Sequence, residues 1–334
     1  MRAAVFGAGS WGTAFALVLA DAGAEVTMWG RRPELCDAIT TQHRNLDYLP
    51  DIELPAGIRA THDPEVATDG AELVVLAVPS QSLRENLAAW VPVLPPQAVL
   101  VSLMKGVELG TAKRMSEVIA DVTGAGPDRI GVVSGPNLAR EIAQRQPSAS
   151  VVAAADDRLA TRLQAACHSP YFRPYTNTDV VGTELGGSVK NVIALAVGIA
   201  VGLGFGDNAR ASVITRGLAE TARLGAVLGA DAYTFQGLAG LGDLVATCSS
   251  PLSRNRTFGE KLGMGQSVEA IAAASRQVAE GVRSCESILD LAGRNGVDMP
   301  IVDHVAQVVR GDMTPGDMLR SLLSRSAKPE RHGH

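Results

Sequence analysis

Residues 3–13 read Ala-Ala-Val-Phe-Gly-Ala-Gly-Ser-Trp-Gly-Thr, and this stretch decides the fold. An apolar run ends at Gly7 and a helical pattern of apolar residues starts at Trp11, which predicts a strand, a tight turn and a helix. The glycines at positions 7, 9 and 12 have the Gly-x-Gly-x-x-Gly spacing of a dinucleotide-binding turn. In such a turn the amides at the start of the helix hold a pyrophosphate. We therefore expect Gly7, Gly9 and Gly12 to lie against a dinucleotide.

The length and composition narrow the class of protein. A chain of 334 residues is longer than one ordinary core and favours two domains, and 46% apolar residues allow a large buried interior. A net charge of -5 and a pI near 5.7 argue against a surface for nucleic acid or for anionic membranes. The longest apolar run, residues 192–205, is shorter than a membrane span. It is predicted to be a buried helix.

The sulfur and imidazole side chains indicate neither disulfides nor a metal. Four widely separated cysteines, Cys36, Cys167, Cys248 and Cys285, form no Cys-x-x-Cys pair and are expected to be reduced thiols in a cytoplasmic protein. Only Arg2 stands between the initiator and the first apolar run, so we expect no secretion signal. The six histidines share no motif, and no metal is expected.

Alternation of strands and helices predicts an α/β fold whose N-terminal part is a Rossmann-type doubly wound sheet. Its clearest members are the continuous apolar runs 72–78, 98–103 and 130–133, which are typical of strands buried on both faces. Residues 148–154 and 171–175 are two further candidates, whereas residues 45–55 are predicted to form a loop.

From about residue 180 helical patterns follow one another without strands, which predicts an all-helical second domain. We place a dinucleotide-binding domain at residues 1–178, a helical substrate domain at 179–323, and a disordered tail at 324–334.

Ligands of such sheets bind at the carboxyl ends of the strands, so the residues that follow each strand are candidates for the site. Arg31 and Arg32 follow the second strand, where an NAD site usually has a carboxylate for the ribose and an NADP site favours arginine. These arginines favour NADP. The alternative is a solvated basic turn.

Two other strand ends carry polar groups. Lys105 follows an apolar strand and precedes a glycine, so its ammonium is a candidate for binding a substrate anion or oxygen. The alternative is a surface lysine whose stem covers apolar neighbours. The sequence Gly135-Pro136-Asn137 predicts a turn in which Asn137 caps the next helix and leaves amides free at the cleft.

The helical half contains a lysine in apolar surroundings. Lys190 lies in an apolar segment, and since an unpaired buried charge is costly, it should face a cleft or a carboxylate. Burial also lowers the pKa of a lysine, which suits proton transfer. Asp243, at the end of a glycine-rich turn, is a candidate partner. The alternative for Lys190 is a surface lysine at a domain junction.

Ser253, Arg254 and Asn255 cluster hydroxyl, guanidinium and amide groups in what we interpret as a loop. This combination suits a phosphate, which arginine binds through two hydrogen bonds, although many basic loops are only solvated. Glu280 stands alone in a predicted turn, and its chemistry assigns it no role.

Taken together, these motifs resemble those of the bacterial NAD(P)-dependent glycerol-3-phosphate dehydrogenases over residues 2–323. The resemblance rests on six motifs in the same order: Gly-Ala-Gly-Ser-Trp-Gly-Thr-Ala (7–14), Lys-Gly (105–106), Ser-Gly-Pro (134–136), Gly-Gly-Ser-Val-Lys-Asn (186–191), Gly-Leu-Gly-Asp (240–243) and Ser-Arg-Asn-Arg (253–256).

The resemblance implies reduction of dihydroxyacetone phosphate to sn-glycerol 3-phosphate with NADPH or NADH, for glycerophospholipid synthesis. It implies that Lys190 transfers the proton, and we expect Asp243 to hold its ammonium. The residues implied at the cofactor, besides the three glycines, are Ser10, Trp11, Arg31, Arg32, Lys105, Ala139, Arg254, Val278 and Glu280. Those implied at the substrate are Lys105, Gly135, Asn137, Lys190, Asp243, Ser253, Arg254 and Asn255. Asn137 departs from the small hydroxyl residue that is usual in the family, which leaves its side-chain contact open.

Two other functions remain open from the sequence. A related dehydrogenase of a 3-hydroxy acid would not need the phosphate-binding cluster at residues 253–256, and a non-catalytic NADP-binding or redox-sensing protein would not need Lys190. The oligomeric state is also open, a homodimer being one alternative.

Overall fold

A computed structural model describes residues 1–274 and 279–324. The predicted strand, turn and helix are confirmed as β1 (Arg2–Phe6) and α1 (Ser10–Asp21). Gly7, between them, has φ of +122°, and a Cβ there would lie 2.4 Å from the carbonyl oxygen of Ala77. Only glycine fits this turn, because it adopts positive φ without strain and leaves room for the neighbouring backbone.

In the part of the chain that the structure describes, ten strands form a large sheet and a small hairpin. The strands are β1 (Arg2–Phe6), β2 (Glu25–Trp29), β3 (Arg44–Asn45), β4 (Leu49–Glu53), β5 (Ile58–Thr61), β6 (Leu73–Leu76), β7 (Val99–Ser102), β8 (Ile130–Ser134), β9 (Ser148–Ala154) and β10 (Phe172–Asn177). Eight of them make the sheet, in the order β10-β9-β8-β7-β6-β1-β2-β5, and β3 pairs with β4. The sheet is parallel except at the β8–β9 pair, so the predicted doubly wound sheet is confirmed with one reversed strand pair.

The sheet is covered on both faces. Ala3 and Val5 of β1 pack into one hydrophobic cluster, and Ala4 and Phe6 pack into another on the opposite face. This alternation follows from the two-residue period of a strand, and it explains why the sequence of β1 is apolar throughout.

Sixteen helices are present in the described residues. They are α1 (Ser10–Asp21), α2 (Pro33–Gln42), α3 (Pro64–Thr68), α4 (Leu83–Trp90), α5 (Met115–Thr123), α6 (Ala139–Ala143), α7 (Asp157–Cys167), α8 (Val180–Gly202), α9 (Asp207–Val227), α10 (Ala232–Gln236), α11 (Asp243–Ser249), α12 (Arg254–Gly263), α13 (Val268–Ala273), α14 (Glu280–Arg294), α15 (Pro300–Arg310) and α16 (Pro315–Ser324). We call residues 2–177, which contain the sheet, the sheet region, and residues 180–324 the helical region. Ser324 ends α16, and the rest of the predicted tail, residues 325–334, lies outside the described residues.

The reversal at β9 has a simple geometric reason. The helix between β8 and β9, α6, has only five residues and rises about 7 Å, whereas a five-residue strand spans about 16 Å. The helix is thus too short to return the chain to the opposite edge of the sheet, which a parallel connection requires.

The prediction of a loop at residues 45–55 is wrong, because β3 and β4 form an antiparallel hairpin there. Asn45, which is fully buried, attaches this hairpin to the glycine turn. Its amide nitrogen donates to the carbonyl of Ala8 at 2.9 Å and to Thr13 Oγ1 at 2.8 Å. The hairpin therefore forms a fixed wall beside the turn.

The centre of the helical region is α8. It is long and apolar enough to cross a membrane, but most of its residues are buried by the surrounding helices, as expected for a core helix. Glycines bring α12 into backbone contact with it. A Cβ on Gly198 would lie 2.0 Å from the carbonyl oxygen of Arg256, and one on Gly259 would lie 2.1 Å from that of Leu195. This close packing fixes the start of α12 relative to α8.

Two predicted loops in the helical region are partly helical. Residues 238–242 form a single π-helical turn that leads into α11, and Asp243 is the first residue of that helix. Ser253 is the N-cap of α12, and its hydroxyl accepts a hydrogen bond from the amide of Arg256. Because its side chain satisfies an amide that has no partner within the helix, Ser253 starts a helix here, whereas the sequence predicted a loop.

Candidate active site

A cleft of about 750 Å³ opens between the carboxyl ends of the sheet and the helical region. Most of the predicted site residues line it, namely Gly7, Gly9, Ser10, Trp11, Gly12, Arg31, Arg32, Lys105, Asn137, Ala139, Lys190, Ser253, Arg254, Asn255 and Glu280. Gly135 and Asp243 lie beside the cleft and contact Lys105, whereas Val278 lies outside the described residues.

The glycine turn fits a dinucleotide. Within the described residues, nothing lies within 4 Å of where a Cβ of Gly9 would be, so this backbone can approach a ligand closely. A Cβ on Gly12 would lie 2.0 Å from the carbonyl oxygen of Gly7, which explains the third glycine. The indole nitrogen of Trp11 is buried and has no hydrogen-bond partner in residues 1–274 and 279–324. A bound group with an acceptor atom would satisfy it.

Arg31 and Arg32 line the part of the cleft at the end of β2. Arg31 is exposed, and the guanidinium of Arg32 forms an ion pair with Asp47 in the turn between β3 and β4. The described structure thus places one arginine open to solvent and one beside a competing carboxylate.

The inner end of the cleft holds two lysines on one carboxylate. Lys105 Nζ lies 2.5 Å from Asp243 Oδ2, and Lys190 Nζ lies 2.6 Å from Asp243 Oδ1. Lys105 also donates to the carbonyl of Gly135 at 2.9 Å. Each lysine is less than one-tenth exposed and Asp243 is 1% exposed. The buried-lysine interpretation of Lys190 is therefore correct, and Asp243 is its partner.

The burial of Lys105 changes its pKa. Its pKa is lowered to about 8, chiefly by burial; the charge of Asp243 opposes this shift, and the positive charge of Lys190 contributes to it. A pKa near 8 keeps Lys105 largely cationic at neutral pH.

Thr247, one turn after Asp243 on α11, belongs to this cluster and is not among the predicted site residues. Its hydroxyl accepts a hydrogen bond from Lys190 Nζ at 2.7 Å and donates to Asp243 Oδ1 at 3.2 Å. The pair Asp243 and Thr247 has the spacing of one helix face, but this signal required knowing that a helix starts at Asp243.

Asn255 connects the start of α12 to α8 and α14. Its Nδ2 donates to Asn191 Oδ1 at 2.9 Å, and its Oδ1 accepts from the amide of Gly281 at 2.9 Å. Asn191 follows Lys190 directly and also lines the cleft, although we had assigned it no role. These bonds hold Ser253 and Arg254 beside the lysine pair.

The prediction that Asn137 caps a helix is wrong. The helix α6 starts two residues later with Leu138 as its N-cap, and no side-chain cap is formed there by the described residues. Both polar atoms of the Asn137 amide are buried without a partner in the described part of the chain, and the residue lines the cleft. Such an amide is available to a ligand.

Glu280, which chemistry alone did not assign, reaches from α14 to the sheet region. Its carboxylate accepts a hydrogen bond from the backbone of Ser80, and burial raises its pKa while Arg254 opposes that shift. Residues 1–274 and 279–324 contain no group of three His, Cys, Asp or Glu side chains that could hold a metal ion.

The glycine turn, the two arginines and the buried lysine pair define the class of protein as a dinucleotide-dependent oxidoreductase. Models of the NAD-dependent glycerol-3-phosphate dehydrogenase N-terminus and C-terminus match residues 2–160 and 179–320. The chain belongs to this family, and the predicted family and fold are confirmed.

Relatives from bacteria support the same conclusion over almost the whole chain. The protein named glycerol-3-phosphate dehydrogenase [NAD(P)+] of Streptomyces avermitilis is 66% identical over 99% of this chain and 98% of its own length. The protein of that name from Thermobifida fusca is 62% identical over 99% of both chains. A crystal structure of glycerol-3-phosphate dehydrogenase from Coxiella burnetii, 37% identical, superposes with a TM-score of 0.93 and covers 97% of this chain and 99% of its own.

Proposed function

We propose that this chain catalyses the reversible reduction of dihydroxyacetone phosphate to sn-glycerol 3-phosphate, with NADPH preferred over NADH. The observation that carries the proposal is the pair of ammonium groups, one from each region, on the buried carboxylate of Asp243. In this proposal residues 1–178 bind the dinucleotide and residues 179–323 bind most of the substrate.

The cofactor would lie along the cleft from the arginines to the lysine pair. The amides that begin α1 would hold its pyrophosphate, and Arg31 and Arg32 would bind a 2′-phosphate. Ser10, Trp11, Ala139 and Glu280 line the same cleft. Bound there, a dihydronicotinamide supplies the hydride that reduces the ketone carbon.

Lys190 would supply the proton. As negative charge grows on the ketone oxygen, the ammonium of Lys190 stabilises it and transfers a proton to it. Asp243 and Thr247 hold the Lys190 Nζ atom at 2.6 and 2.7 Å and so fix its direction. In the reverse direction a neutral Lys190 accepts the proton of the alcohol.

The phosphate of the substrate would bind at the start of α12. Ser253, Arg254 and Asn255, at the start of that ten-residue helix, line the cleft. The positive end of the helix and the Arg254 guanidinium would bind the phosphate, and Asn255 would position them through its bonds to Asn191 and Gly281. Lys105, Gly135 and the unsatisfied amide of Asn137 would contact the rest of the molecule. Binding energy from the phosphate then orients the carbonyl for reaction.

Replacing Lys190 tests the chemical role. In Lys190→Met we expect kcat to fall by about 10² to 10⁴-fold, with the Kd for NADPH unchanged within about twofold. Lys261→Met, which alters a lysine of α12 that does not line the cleft, should keep wild-type kcat. NADPH absorbance with dihydroxyacetone phosphate and a panel of unphosphorylated ketones measures both. Normal turnover of Lys190→Met would refute the role, and better turnover of an unphosphorylated ketone would refute the substrate.

We also propose that the enzyme acts in the cytoplasm and supplies glycerophospholipid synthesis. Support for a reducing compartment comes from the four cysteines, whose thiols are free and buried. A homodimer stays a prediction, which light scattering coupled to size-exclusion chromatography would test.

A further inference from the structure

A buried carboxylate links the two regions at a distance from the lysine pair. Glu184 lies on α8, six residues before Lys190, and is 3% exposed. Its Oε1 accepts a hydrogen bond from the amide of Ser116 at 2.8 Å, and its Oε2 accepts from Ser116 Oγ and from Arg114 at 2.6 Å each. Arg114 and Ser116 start α5, which belongs to the sheet region. The proposed chemistry does not use any of these three residues.

This contact is difficult to break. Burial raises the pKa of Glu184, and the charge of Arg114 and the hydrogen bonds from Ser116 oppose that shift. A buried carboxylate that lost these partners would be left unpaired, which is strongly unfavourable. Arg114 is itself held by Glu117, which contacts both its guanidinium and its backbone amide at 2.8 Å. Glu117 therefore orients the Arg114 guanidinium toward Glu184.

The two sides of this contact are each connected through the backbone to one of the two lysines. Lys190 follows Glu184 on the same helix, about 9 Å further along its axis. Lys105 precedes a short loop closed by the β-bridge between Val107 and Arg114. A shift of Arg114 therefore moves the backbone next to Lys105.

Helix α8 packs closely against the sheet region near Lys105. A Cβ on Gly187 of α8 would lie 2.6 Å from Ser134 Oγ and 3.4 Å from Lys105 Cγ. Because a single methyl group on α8 would reach the stem of Lys105, a small change in the position of α8 would alter the distances in the lysine cluster.

We propose that Glu184 is a positioning residue that holds α8 against α5, so that Lys105 and Lys190 meet on Asp243. The inference rests on the proposed roles of these lysines. It adds a requirement: the two lysines act together only while Glu184 retains its contact with Arg114 and Ser116.

Glu184→Gln is the central variant, because it keeps the shape of the side chain and removes its charge. We expect kcat/KM for dihydroxyacetone phosphate to fall about 10- to 100-fold, as expected for a displacement near 1 Å. The Kd for NADPH should stay within about twofold, because the glycine turn and the arginines belong to the sheet region alone. Arg294→Gln is the matched control, since Arg294 also joins the regions, through the carbonyls of Gly110 and Thr111, but is exposed. It should retain kcat/KM within about twofold.

A double-mutant cycle separates positioning from a loss of stability. Lys105→Met should reduce kcat/KM less in the Glu184→Gln background than in the wild type, because the contact of Lys105 with Asp243 is already weakened. Independent, multiplicative losses would overturn the proposal, as would an unchanged kcat/KM in Glu184→Gln. If Glu184→Gln does not fold, Ser116→Ala removes one hydrogen bond to the same carboxylate and should reduce kcat/KM about 3- to 10-fold. Full activity of Ser116→Ala would then overturn it. A different result would show that the proposed function itself is wrong, namely normal turnover by Lys190→Met.

Discussion

Lys105 Nζ lies 2.5 Å from Oδ2 of Asp243, although 138 residues separate them in the chain. One residue follows a strand of the sheet and the other starts α11 in the helical region. Their ion pair therefore joins the two regions at the point where we place the chemistry. The strength of this ion pair depends on the charge of Lys105, so the contact between the two regions is sensitive to pH.

The rate should fall as Lys105 loses its proton. Its pKa is about 8, so the ammonium is present below that pH and is lost above it. We expect kcat/KM for dihydroxyacetone phosphate to decline above about pH 8, because the neutral amine no longer pairs with Asp243 or attracts the substrate. Lys105→Met should be less active and should lack this decline. The contribution of Lys105 to the free energy of unfolding should instead increase with pH. Between pH 8 and 10.5 this lysine is protonated in the unfolded chain and neutral in the folded one. A wild-type profile that stays flat to pH 10 would contradict the assignment.

Glycine contacts between α8 and α12 should contribute to the stability of the protein and to substrate binding. In Gly259→Ala a new Cβ would lie 2.1 Å from the carbonyl oxygen of Leu195, so the helices must separate. We expect the free energy of unfolding to fall by about 1 to 3 kcal/mol, and the KM for dihydroxyacetone phosphate to rise as Ser253 and Arg254 move.

Gly293→Ala is the control for that substitution. Within the described residues nothing lies within 4 Å of a Cβ at Gly293, which is in α14. This change should stabilise the protein by up to about 1 kcal/mol, because alanine favours a helix. Equal effects of the two substitutions in chemical denaturation would contradict the packing argument.

Cofactor preference should depend on Arg31 and Arg32. The Arg31→Ala, Arg32→Ala double variant loses the charged donors for a 2′-phosphate, and we expect the KM for NADPH to rise about 10- to 100-fold with that for NADH little changed. Asp47→Asn removes the carboxylate that competes for Arg32 and should lower the KM for NADPH. Steady-state kinetics with both cofactors measures the ratio, and Arg216→Ala on the exposed face of α9 is the control. A double variant that still prefers NADPH would exclude this role.

Glu220 should make stability depend on pH. This residue of α9 is 2% exposed and accepts hydrogen bonds from the amides of Ile301 and Val302 at the start of α15. Burial raises its pKa from 4.5 to about 7, so the folded state binds a proton that the unfolded state has released. Its contribution to stability is thus complete below about pH 4.5 and is lost as the pH rises through 7.

Glu220→Gln should remove that dependence. The free energy of unfolding of the wild type relative to the variant should decrease by about 1 to 3 kcal/mol from pH 4.5 to 7. Thermal unfolding at several pH values measures the difference, and a constant difference would show that Glu220 does not titrate in this range.

The sequence predicted much of the fold from local patterns. The glycine spacing at residues 7–12 and the apolar runs of the sheet depend on neighbours in the chain, and so the turn, the strands and the helix α1 were predicted correctly. The hairpin at residues 44–53 was not, because its register is set by Asn45 against Ala8 and Thr13, contacts that no local pattern contains.

The site was predicted as a set of residue types rather than as a geometry. The apolar surroundings of Lys190 indicated a buried partner, and Asp243 was a candidate because it ends a glycine-rich turn. Thr247 was missed because its role requires the helix α11, which we had not predicted. Asn137 was predicted to cap a helix, and its true environment depends on where α6 begins.

What the sequence by itself determined is the chemistry available: a dinucleotide turn, two arginines, two lysines and a carboxylate, each in a recognisable local setting. Only the tertiary structure decided which of these meet. Three long-range interactions made that decision. They are the antiparallel pairing of β9 with β8, the glycine contacts of α8 with α12, and the buried contact of Glu184 with Arg114 and Ser116. They set distances of a few ångströms between residues far apart in the chain, such as Lys105 and Asp243, which 138 positions separate. Proton transfer and ion pairing require distances this short.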